Sequence, residues 1–302
     1  MSHSLKPVRQ QVIVITGASS GIGLETARLA AEKGAKLVLA ARSEHALQEI
    51  VQQINAGGGE AIAVGCDVAD RAQVQRIADA AVARFGRIDT WVNNAGLGMY
   101  GRLDQVGDAD NRRLFDINFW GVVSGSLVAL PHLKQNGGAL INIGSEVSDA
   151  YMPLLGMYSA TKHAVKGFTD ALRVEVEELD KAPVSITLIQ PTATNTPFPQ
   201  HARNCMDKEA KLPTPMIDPR KVAEAILDAA ARPTRDRKVG ALSKVNTLVA
   251  KIAPSLGNKM SAKQAKRLHR DEPAQNPEGA LYRPSEATGI VGRTHGVGSG
   301  AG

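Results

Sequence analysis

The sequence has few cysteines, few aromatic residues and no long apolar run. Only Cys66 and Cys205 occur among 302 residues, and neither lies in a C-x-x-C pair, so we expect two buried or incidental thiols rather than disulfides or a redox pair. The seven histidines show no H-x-x-H or H-E-x-x-H spacing, and we expect no metal site. Because no apolar run reaches eighteen residues and the N-terminus lacks a signal-peptide pattern, we expect a cytoplasmic protein.

Positive charge is concentrated in one part of the chain. The formal net charge is +6 at pH 7, yet residues 232–270 alone carry eleven Lys and Arg against a single Asp. The rest of the chain is close to neutral. The basic composition therefore belongs to a C-terminal segment, and it does not indicate a nucleic-acid-binding protein.

Short apolar runs alternate with stretches of helical period over the first 242 residues. Near-continuous apolar strands separated by helices are typical of a parallel sheet covered on both faces and joined by right-handed crossovers. The sequence thus predicts an α/β fold with a single Rossmann-type doubly wound parallel β-sheet and helices on both faces, over residues 1–242. The predicted strands lie at residues 12–16, 36–41, 61–65, 88–93, 139–143, 184–190 and 237–242.

Residues 243–302 form a separate, basic and amphipathic C-terminal extension in this prediction. Val245, Leu248, Val249 and Ile252 have helical spacing, Pro254 then interrupts the pattern, and the glycine-rich end from residue 289 is expected to be disordered. A helix docked on the protein with a solvated basic face is the favoured interpretation. An anionic membrane surface, an acidic partner or a cover over the substrate loop are the alternatives.

A glycine-rich turn follows the first predicted strand. It reads Gly17-Ala-Ser-Ser-Gly21-Ile-Gly23, a G-x-x-x-G-x-G pattern between a strand and a helix. Glycines at such a turn let backbone N–H groups and the helix N-terminus approach a pyrophosphate, which predicts a dinucleotide site. An ordinary tight turn between strand and helix is the alternative.

Arg42 follows the second predicted strand, where an NAD-binding protein commonly has an acidic residue. The chain reads Ala40-Ala41-Arg42-Ser43 there, with no acid before Glu44. A guanidinium can pair with a 2′-phosphate and stack on adenine. We therefore expect NADP(H) to be preferred over NAD(H), although Arg42 and Glu44 would also suit a solvated helix start.

Tyr158 and Lys162 are spaced as a possible proton-transfer pair, with Ser145 thirteen positions upstream. On a helix, a four-residue spacing places the phenol and the ammonium on one face, about one turn apart. A nearby cation lowers the pKa of a phenol toward the working pH, as a general acid or base requires. The pair alone is weak evidence, because the same spacing occurs on many surface helices.

Taken together, these motifs closely resemble those of the short-chain dehydrogenase/reductase family over about residues 8–242. The motifs occur in the family's order and near its spacing. They are Thr16-Gly-Ala-Ser-Ser-Gly-Ile-Gly23, Cys66-Asp67-Val68, Asn93-Asn-Ala-Gly96, Asn118 in Asp-Ile-Asn-Phe-Trp-Gly, Ser145, Tyr158 with Lys162, and Pro191-Thr-Ala-Thr-Asn-Thr196.

The resemblance implies an enzyme that interconverts a carbonyl and a secondary alcohol, with Tyr158 as general acid and base. Ser145 would donate to the substrate oxygen, Lys162 would bind the nicotinamide ribose and lower the tyrosine's pKa, and Asn118 would position a water. The residues implied in cofactor binding are Gly17, Ser19, Ser20, Gly21, Ile22, Gly23, Arg42, Asp67, Val68, Asn94, Gly96, Tyr158, Lys162, Pro191, Thr194 and Thr196. Thr192 departs from the family, which often has glycine at this position.

Three apolar stretches, residues 97–103, 146–157 and 192–216, are expected to contact a medium-sized apolar substrate. Their large side chains are Met99, Tyr100, Val147, Met152, Leu154, Leu155 and Phe198. The family commonly assembles through helices that span about residues 107–134 and 157–180 here, so a homodimer or homotetramer is expected. A dinucleotide-binding sensor or scaffold without turnover is the alternative function, and an epimerase or dehydratase is a third.

Overall fold

A parallel sheet of seven strands forms the centre of the computed structural model, which describes residues 4–241, 252–284 and 292–296. The sheet strands are β1 Val12–Thr16, β2 Lys36–Ala41, β3 Glu60–Gly65, β4 Thr90–Asn93, β6 Gly138–Ile143, β7 Val184–Pro191 and β10 Asp236–Val239. The four short strands outside it are β5 Met99–Tyr100, β8 Arg203–Asn204, β9 Lys208–Ala210 and β11 His269–Pro273.

Helices surround this sheet. They are α1 Gly21–Glu32, α2 Glu44–Ala56, α3 Arg71–Phe85, α4 Asp108–Phe115, α5 Gly121–Asn136, α6 Gly156–Arg173, α7 Phe198–His201, α8 Pro219–Ala231 and α9 Pro254–Ala265. A π-helical turn, Asp116–Trp120, joins α4 to α5, and another, Val174–Leu179, extends α6.

The strand order explains where a ligand can enter. Strands run β10-β7-β6-β4-β1-β2-β3, and every neighbouring pair is parallel. The order reverses between β1 and β4, so the crossover connections leave the sheet in opposite directions at that point. In open α/β sheets this reversal opens a crevice beyond the carboxyl ends of the strands, and the glycine-rich turn after β1 lies there.

Two apolar cores, one on each face, hold the sheet between helices. Every residue of β1, β4, β6 and β7 is buried. One core contains apolar side chains of α3 and α5, such as Ile77 and Leu133, and the other contains those of α1 and α8, such as Leu24 and Ile226. The predicted doubly wound α/β fold is therefore confirmed.

Local signals placed several boundaries correctly. The predicted first and second strands coincide with β1 and β2. Helix α8 begins at Pro219, and the Asp218 carboxylate caps it by accepting a hydrogen bond from the backbone N–H of Arg220 at 2.7 Å. The last strand is shorter than predicted, since β10 ends at Val239 and Gly240 follows with φ +98°.

The continuous helical stretch from Asp108 to Asn136 is long and apolar enough to span a membrane by length and composition alone. Within its most apolar window, however, 61% of the window is buried inside the protein. Its residues Val128, Ala129 and Leu133 pack in the core beside α3. A helix that is apolar because it is covered on several sides passes the same test.

The C-terminal extension folds back onto the rest of the protein, and this corrects two details of the prediction. Pro254 is the first residue of α9 rather than an interruption of a helix. Residues 292–296, expected to be disordered, are hydrogen-bonded to the glycine-rich turn. Strand β11 pairs antiparallel with β9, and Leu268 and Leu281 are fully buried. Residues 245, 248 and 249 of the predicted amphipathic helix lie outside the described residues.

Candidate active site

The glycine-rich turn adopts a conformation that a side chain would prevent. Gly17 has φ +67°, and a Cβ there would lie 2.7 Å from the Cα of Ala95. At Gly23 a Cβ would collide with the Gly17 carbonyl oxygen. Glycine is therefore needed at both positions for the turn to close against the neighbouring strand and for α1 to begin so near to it.

At the far end of the crevice, Arg42 lies in a partly buried, charged corner. Its guanidinium donates to the backbone carbonyls of Ala280 at 2.5 Å and Leu281 at 3.4 Å, both in the C-terminal extension. Burial lowers the pKa of Arg42, and this effect is partly offset by the charge of Asp67. Asp67 itself pairs with the guanidinium of Arg113. Protein groups therefore enclose the end of the crevice where we expect the adenosine of the cofactor to bind.

Asn94 links β4 to the glycine-rich turn. Its side-chain amide donates to the carbonyls of Thr16 at 2.9 Å and Gly17 at 3.1 Å, and its backbone N–H donates to the Thr16 hydroxyl at 3.0 Å. These bonds fix the turn relative to the strand across the point of reversal.

Ser145 and Tyr158 meet at the opposite end of the same crevice. Ser145 follows β6 and precedes a short 3₁₀ turn that its side chain caps. Tyr158 lies in the first turn of α6 and packs edge-on against Phe198, with ring centroids 5.3 Å apart. Burial raises the pKa of Tyr158 to about 12, while hydrogen bonding to Ser145 opposes this rise.

Lys162 is one helical turn beyond Tyr158 and is buried. Its Nζ donates to the Ile143 carbonyl of β6 at 2.8 Å and lies 5.7 Å from the centroid of the Tyr158 ring. Burial lowers the pKa of Lys162 to about 8. The largest effect on the pKa of each group is its own desolvation, and the lowering of the tyrosine's pKa by this lysine stays a prediction.

Asn118 holds the backbone that faces Lys162. It lies in the π-helical turn between α4 and α5, and π turns inside helices are frequent at functional sites. Its side chain accepts from the Leu97 N–H at 2.8 Å and donates to the Leu97 carbonyl at 2.9 Å. Across this loop, a Cβ at Gly96 would lie 3.3 Å from Asn118 Oδ1 and 3.6 Å from Lys162 Nζ.

Glu146 is a buried carboxylate beside Ser145 and Tyr158, and none of the motifs in the sequence singles it out. The hydroxyl of Thr192 donates to its Oε2 at 3.1 Å. Its negative charge raises the pKa of Tyr158 further. In the sequence, the position of Glu146 next to Ser145 was the one feature that could have indicated its place in the site. The departure from glycine at residue 192 thus supplies a hydrogen bond, and Gly240, which packs against the Thr192 methyl group, leaves room for the side chain.

One pocket joins both ends of the crevice and brings most of the predicted site residues together. Asn118 and Gly23 do not line it and act through the backbone that they support. The predicted residues that line it are Gly17, Ser19, Ser20, Gly21, Ile22, Arg42, Asp67, Val68, Asn94, Gly96, Ser145, Tyr158, Lys162, Pro191, Thr194 and Thr196.

Part of the predicted substrate wall is also present. Val147, Met152, Leu155 and Phe198 line the pocket. Met99 and Tyr100 do not, because β5 pairs with β8 and both side chains are buried in the protein interior. Leu154 does not line the pocket either.

Sequence reasoning did not single out three residues that line the pocket from outside the family motifs, although His201 falls within the predicted stretch 192–216. His201 lies at the end of α7, and Ala280 and Pro284 belong to the extension. No pattern in the sequence connects residue 280 to Arg42, which is 238 positions away.

The pocket suits a dinucleotide in shape and in donors. It is continuous from Arg42, past the glycine-rich turn, to Tyr158 and Lys162. A cradle of glycines, a guanidinium at one end and a phenol with an ammonium at the other are the groups that a nicotinamide dinucleotide and a carbonyl substrate require.

The family model described as short chain dehydrogenase matches residues 11–206. Among curated proteins, the chain is 44% identical over 283 residues to the uncharacterized oxidoreductase YxnA of Bacillus subtilis, covering 92% of this chain and 79% of that protein. It is 34% identical over 239 residues to 11-beta-hydroxysteroid dehydrogenase A of Sesamum indicum, covering 76% and 68%. The match to YxnA is longer than residues 1–242, so it includes part of the C-terminal extension.

Two solved structures are similar in fold. A short chain dehydrogenase/reductase from Burkholderia phymatum in complex with NAD superposes with a TM-score of 0.73 at 29% identity, covering 85% of this chain and 96% of that one. An alcohol dehydrogenase from Thermococcus sibiricus complexed with 5-hydroxy-NADP gives a TM-score of 0.66 at 29% identity, covering 76% and 94%.

Proposed function

The chain belongs to the short-chain dehydrogenase/reductase family and is an oxidoreductase, and from this premise we propose that it interconverts a carbonyl and a secondary alcohol with NADP(H). The observation that carries the proposal is the single pocket that joins the glycine-rich turn to Ser145, Tyr158 and Lys162. A protein that only bound a dinucleotide would have no need of a phenol, a hydroxyl and an ammonium at the nicotinamide end.

The side chains at that end divide the chemistry. The cofactor, when bound, supplies or accepts the hydride. Tyr158 gives its phenolic proton to the substrate oxygen during reduction and takes it back during oxidation. Ser145 donates a hydrogen bond to the same oxygen, where negative charge grows. Lys162, tied to β6 through the Ile143 carbonyl, offers its remaining N–H groups to ribose hydroxyls.

Backbone geometry supports Asn118 as a positioning residue. Both polar atoms of its amide are hydrogen-bonded to Leu97, and this fixes the loop at Gly96 that lies next to Lys162. We therefore propose that Asn118 sets the distance between that loop and the Lys162 ammonium. It would also position the water that the family resemblance implies.

Arg42 supports a preference for NADP(H) over NAD(H). It lies after β2, it lines the pocket, and no acidic residue occupies positions 40–43. A carboxylate at this point would accept from a ribose 2′-hydroxyl, whereas a guanidinium binds a 2′-phosphate. The Thermococcus sibiricus enzyme was solved with an NADP derivative and the Burkholderia phymatum enzyme with NAD, so the preference rests on the residues of this chain.

The substrate end is mostly apolar and holds one carboxylate. Val147, Met152 and Leu155 form one side of the pocket, Phe198 and Leu212 are also on its wall, and Glu146 lies beside Ser145. A medium-sized apolar carbonyl or alcohol fits such a surface. The 11-beta-hydroxysteroid dehydrogenase A of Sesamum indicum is a relative whose name fits the same class of substrate.

The proposal is tested by screening ketones, aldehydes and secondary alcohols with NADP(H) and NAD(H). Turnover is measured as the change in absorbance of the nicotinamide band. We expect turnover of apolar substrates, faster with NADP(H). Tight binding of NADP⁺ without turnover of any compound would favour the sensor or scaffold instead. Equal rates with both cofactors would remove the cofactor preference and leave the oxidoreductase assignment.

A further inference from the structure

Asp149 is a charged side chain close to the reacting groups that has no part in the chemistry described so far. It lies at the end of the 3₁₀ turn, Glu146–Ser148, that follows Ser145, and its side chain is 7% exposed. Burial alone would raise the pKa of its carboxyl, but hydrogen bonds from Gln190 and Lys238 outweigh this effect, and the pKa falls below its ordinary value. A buried carboxylate that stays ionised depends on the donors and cations around it.

Residues of β7 and just after it hold the turn at both of its ends. Gln190 and Thr192 are two positions apart, the spacing that places side chains on one face of an extended chain. The Thr192 hydroxyl donates to the Glu146 carboxylate at 3.1 Å, and the Gln190 amide donates to the Asp149 carboxylate at 2.9 Å. The same amide also donates to the Ser145 carbonyl at 3.4 Å. The turn that carries Ser145 is therefore bonded to the sheet at its start and at its end.

Lys238 adds an ion pair from the neighbouring strand. Gln190 and Lys238 are partners in the register of β7 with β10, and both side chains reach Asp149. The Lys238 ammonium lies 3.2 Å from the carboxylate, and the two side chains are 25% and 7% exposed. Salt screens such a partly buried pair less than it screens a surface pair, so the pair holds the turn against the sheet.

Lys166 connects the same carboxylate to the helix that carries the reacting phenol. Tyr158, Lys162 and Lys166 follow one another at intervals of four residues along α6, so they lie on one side of that helix. The Lys166 ammonium lies 3.8 Å from the Asp149 carboxylate and 3.0 Å from that of Asp170. Asp149 thus joins the turn to two strands of the sheet and to α6.

We propose that Asp149 is a positioning residue for Ser145 and sets where the Ser145 hydroxyl meets the Tyr158 phenol and the substrate oxygen. This inference rests on the proposed roles of Ser145 and Tyr158. The two groups belong to separate elements, and the bonds of Asp149 reach from the turn to both the sheet and the helix. Without these bonds the turn can shift while Tyr158 stays in place, and a shift of about 1 Å in a reacting geometry can cost about a hundredfold in rate.

The first test compares Asp149→Asn with wild type at saturating substrate and cofactor. The amide keeps the shape of the side chain and can still accept from Gln190, but it removes the charge that Lys238 and Lys166 face. We expect kcat for carbonyl reduction to fall about tenfold or more, while the Kd of NADP⁺, measured by calorimetry, stays within about twofold of wild type. An unchanged kcat, or an equal loss of cofactor affinity, would overturn the proposal.

A double-variant cycle with Ser145 separates positioning from a general loss of structure. A residue that acts through the Ser145 hydroxyl has nothing left to position once that hydroxyl is removed. Asp149→Asn added to Ser145→Ala should therefore lower kcat by less than about twofold further. The same factor in both backgrounds would overturn the proposal. Lys238→Met should also lower kcat, and Lys238→Arg, which keeps the cation, should retain most of the rate.

Asp170→Asn is the matched control, because Asp170 pairs with the same Lys166 but lies on α6 rather than on the turn. Its kcat should stay within about twofold of wild type, and a loss equal to that of Asp149→Asn would overturn the role of the turn. Thermal unfolding of each variant identifies misfolded protein.

Hydrogen exchange of the peptide that contains residues 145–149 measures the anchoring of the turn without any substrate. Exchange in this peptide should be faster in Asp149→Asn than in wild type, with the exchange of α6 unchanged. Equal exchange in the two proteins would overturn the anchoring itself. A wild type that turned over no carbonyl would instead contradict the proposed function, and the exchange rates would still decide whether Asp149 holds the turn.

Discussion

Lys162 Nζ lies 5.7 Å from the centroid of the Tyr158 ring and is bonded at 2.8 Å to the Ile143 carbonyl of β6. The helical spacing of α6 places both groups on the face toward the pocket, and the bond to the sheet holds the lysine at a fixed depth. Ser145 follows the same strand two residues later. The geometry of the three groups therefore depends on how α6 packs against β6.

Tyr158→Phe should lower the turnover number for carbonyl reduction by about three orders of magnitude or more, because the proton donor and its orienting effect are both lost. Binding of NADP⁺ should be nearly unchanged. Tyr151→Phe is the matched control, since Tyr151 is exposed and its hydroxyl bonds to Asn258 at the surface. Steady-state rates of both variants beside wild type decide the matter, and comparable rates in Tyr158→Phe would end the assignment.

Glu146→Gln should move the pH dependence of alcohol oxidation. Oxidation needs the phenolate of Tyr158, whose pKa burial raises to about 12, and the charge of Glu146 adds to this rise. Removing the charge lowers the tyrosine's pKa, so the rising limb of kcat/KM against pH should shift to lower pH and the rate at pH 8–9 should increase.

The matched control for that shift is Glu178→Gln, which removes one carboxylate that pairs with Lys181 at the surface. It should leave the profile unchanged. A limb that stays in place in Glu146→Gln, or moves to higher pH, would contradict the electrostatic role of Glu146. Reduction at neutral pH should be less sensitive, because Tyr158 stays protonated in both forms.

The sequence was most informative where function and local structure use the same residues. The glycine-rich turn, the strand before it and the Tyr158–Lys162 spacing each have a local physical cause, and all three were predicted. Met99 and Tyr100 were misplaced because their burial depends on the pairing of β5 with β8, which lie about a hundred residues apart in the chain. No periodicity in either segment indicates that contact.

The contacts of the C-terminal extension were even less predictable from the sequence. Its composition predicted polarity, basic charge and disorder, and composition says little about which backbone groups find partners. The bonds of Ala280 and Leu281 to Arg42, and that of the Arg293 carbonyl to the Gly21 N–H, are contacts between residues more than 230 positions apart. The pKa values of Tyr158 and Lys162 also depend on how deeply the two side chains are buried, and this burial could not be predicted from the sequence alone.

Ending the chain after residue 276 should weaken NADP⁺ binding by about tenfold and speed its dissociation. Ala280 and Pro284 form part of the pocket wall, and two backbone carbonyls of this segment orient the Arg42 guanidinium. Their removal opens the adenosine end to water and frees the arginine, whose side chain then loses more conformational entropy on binding. Stopped-flow displacement measures the dissociation rate.

A chain that ends after residue 296 is the control for the truncation, because it keeps every extension contact described above. It should bind NADP⁺ as wild type does. Tighter binding by the shorter chain would show that the extension competes with the cofactor rather than enclosing it. Thermal unfolding must accompany the measurement, since Leu281 is fully buried and its loss lowers the free energy of unfolding.

The double variant Trp120→Glu/Val174→Glu should convert an oligomer to a monomer. Trp120 is 54% exposed and Val174 is 50% exposed, on the π-helical turns next to α5 and α6. These large apolar side chains are exposed on the two helical stretches that we expect to form the subunit contact. A carboxylate buried there without a partner costs about 3–5 kcal/mol, enough to weaken association more than a hundredfold.

Light scattering on wild type eluted from a sizing column should give the mass of a dimer or tetramer. The control variant Ile252→Glu, at a side chain 74% exposed in the extension, should leave that mass unchanged. A monomeric wild type, or a double variant that stays assembled, would place the subunit contact elsewhere.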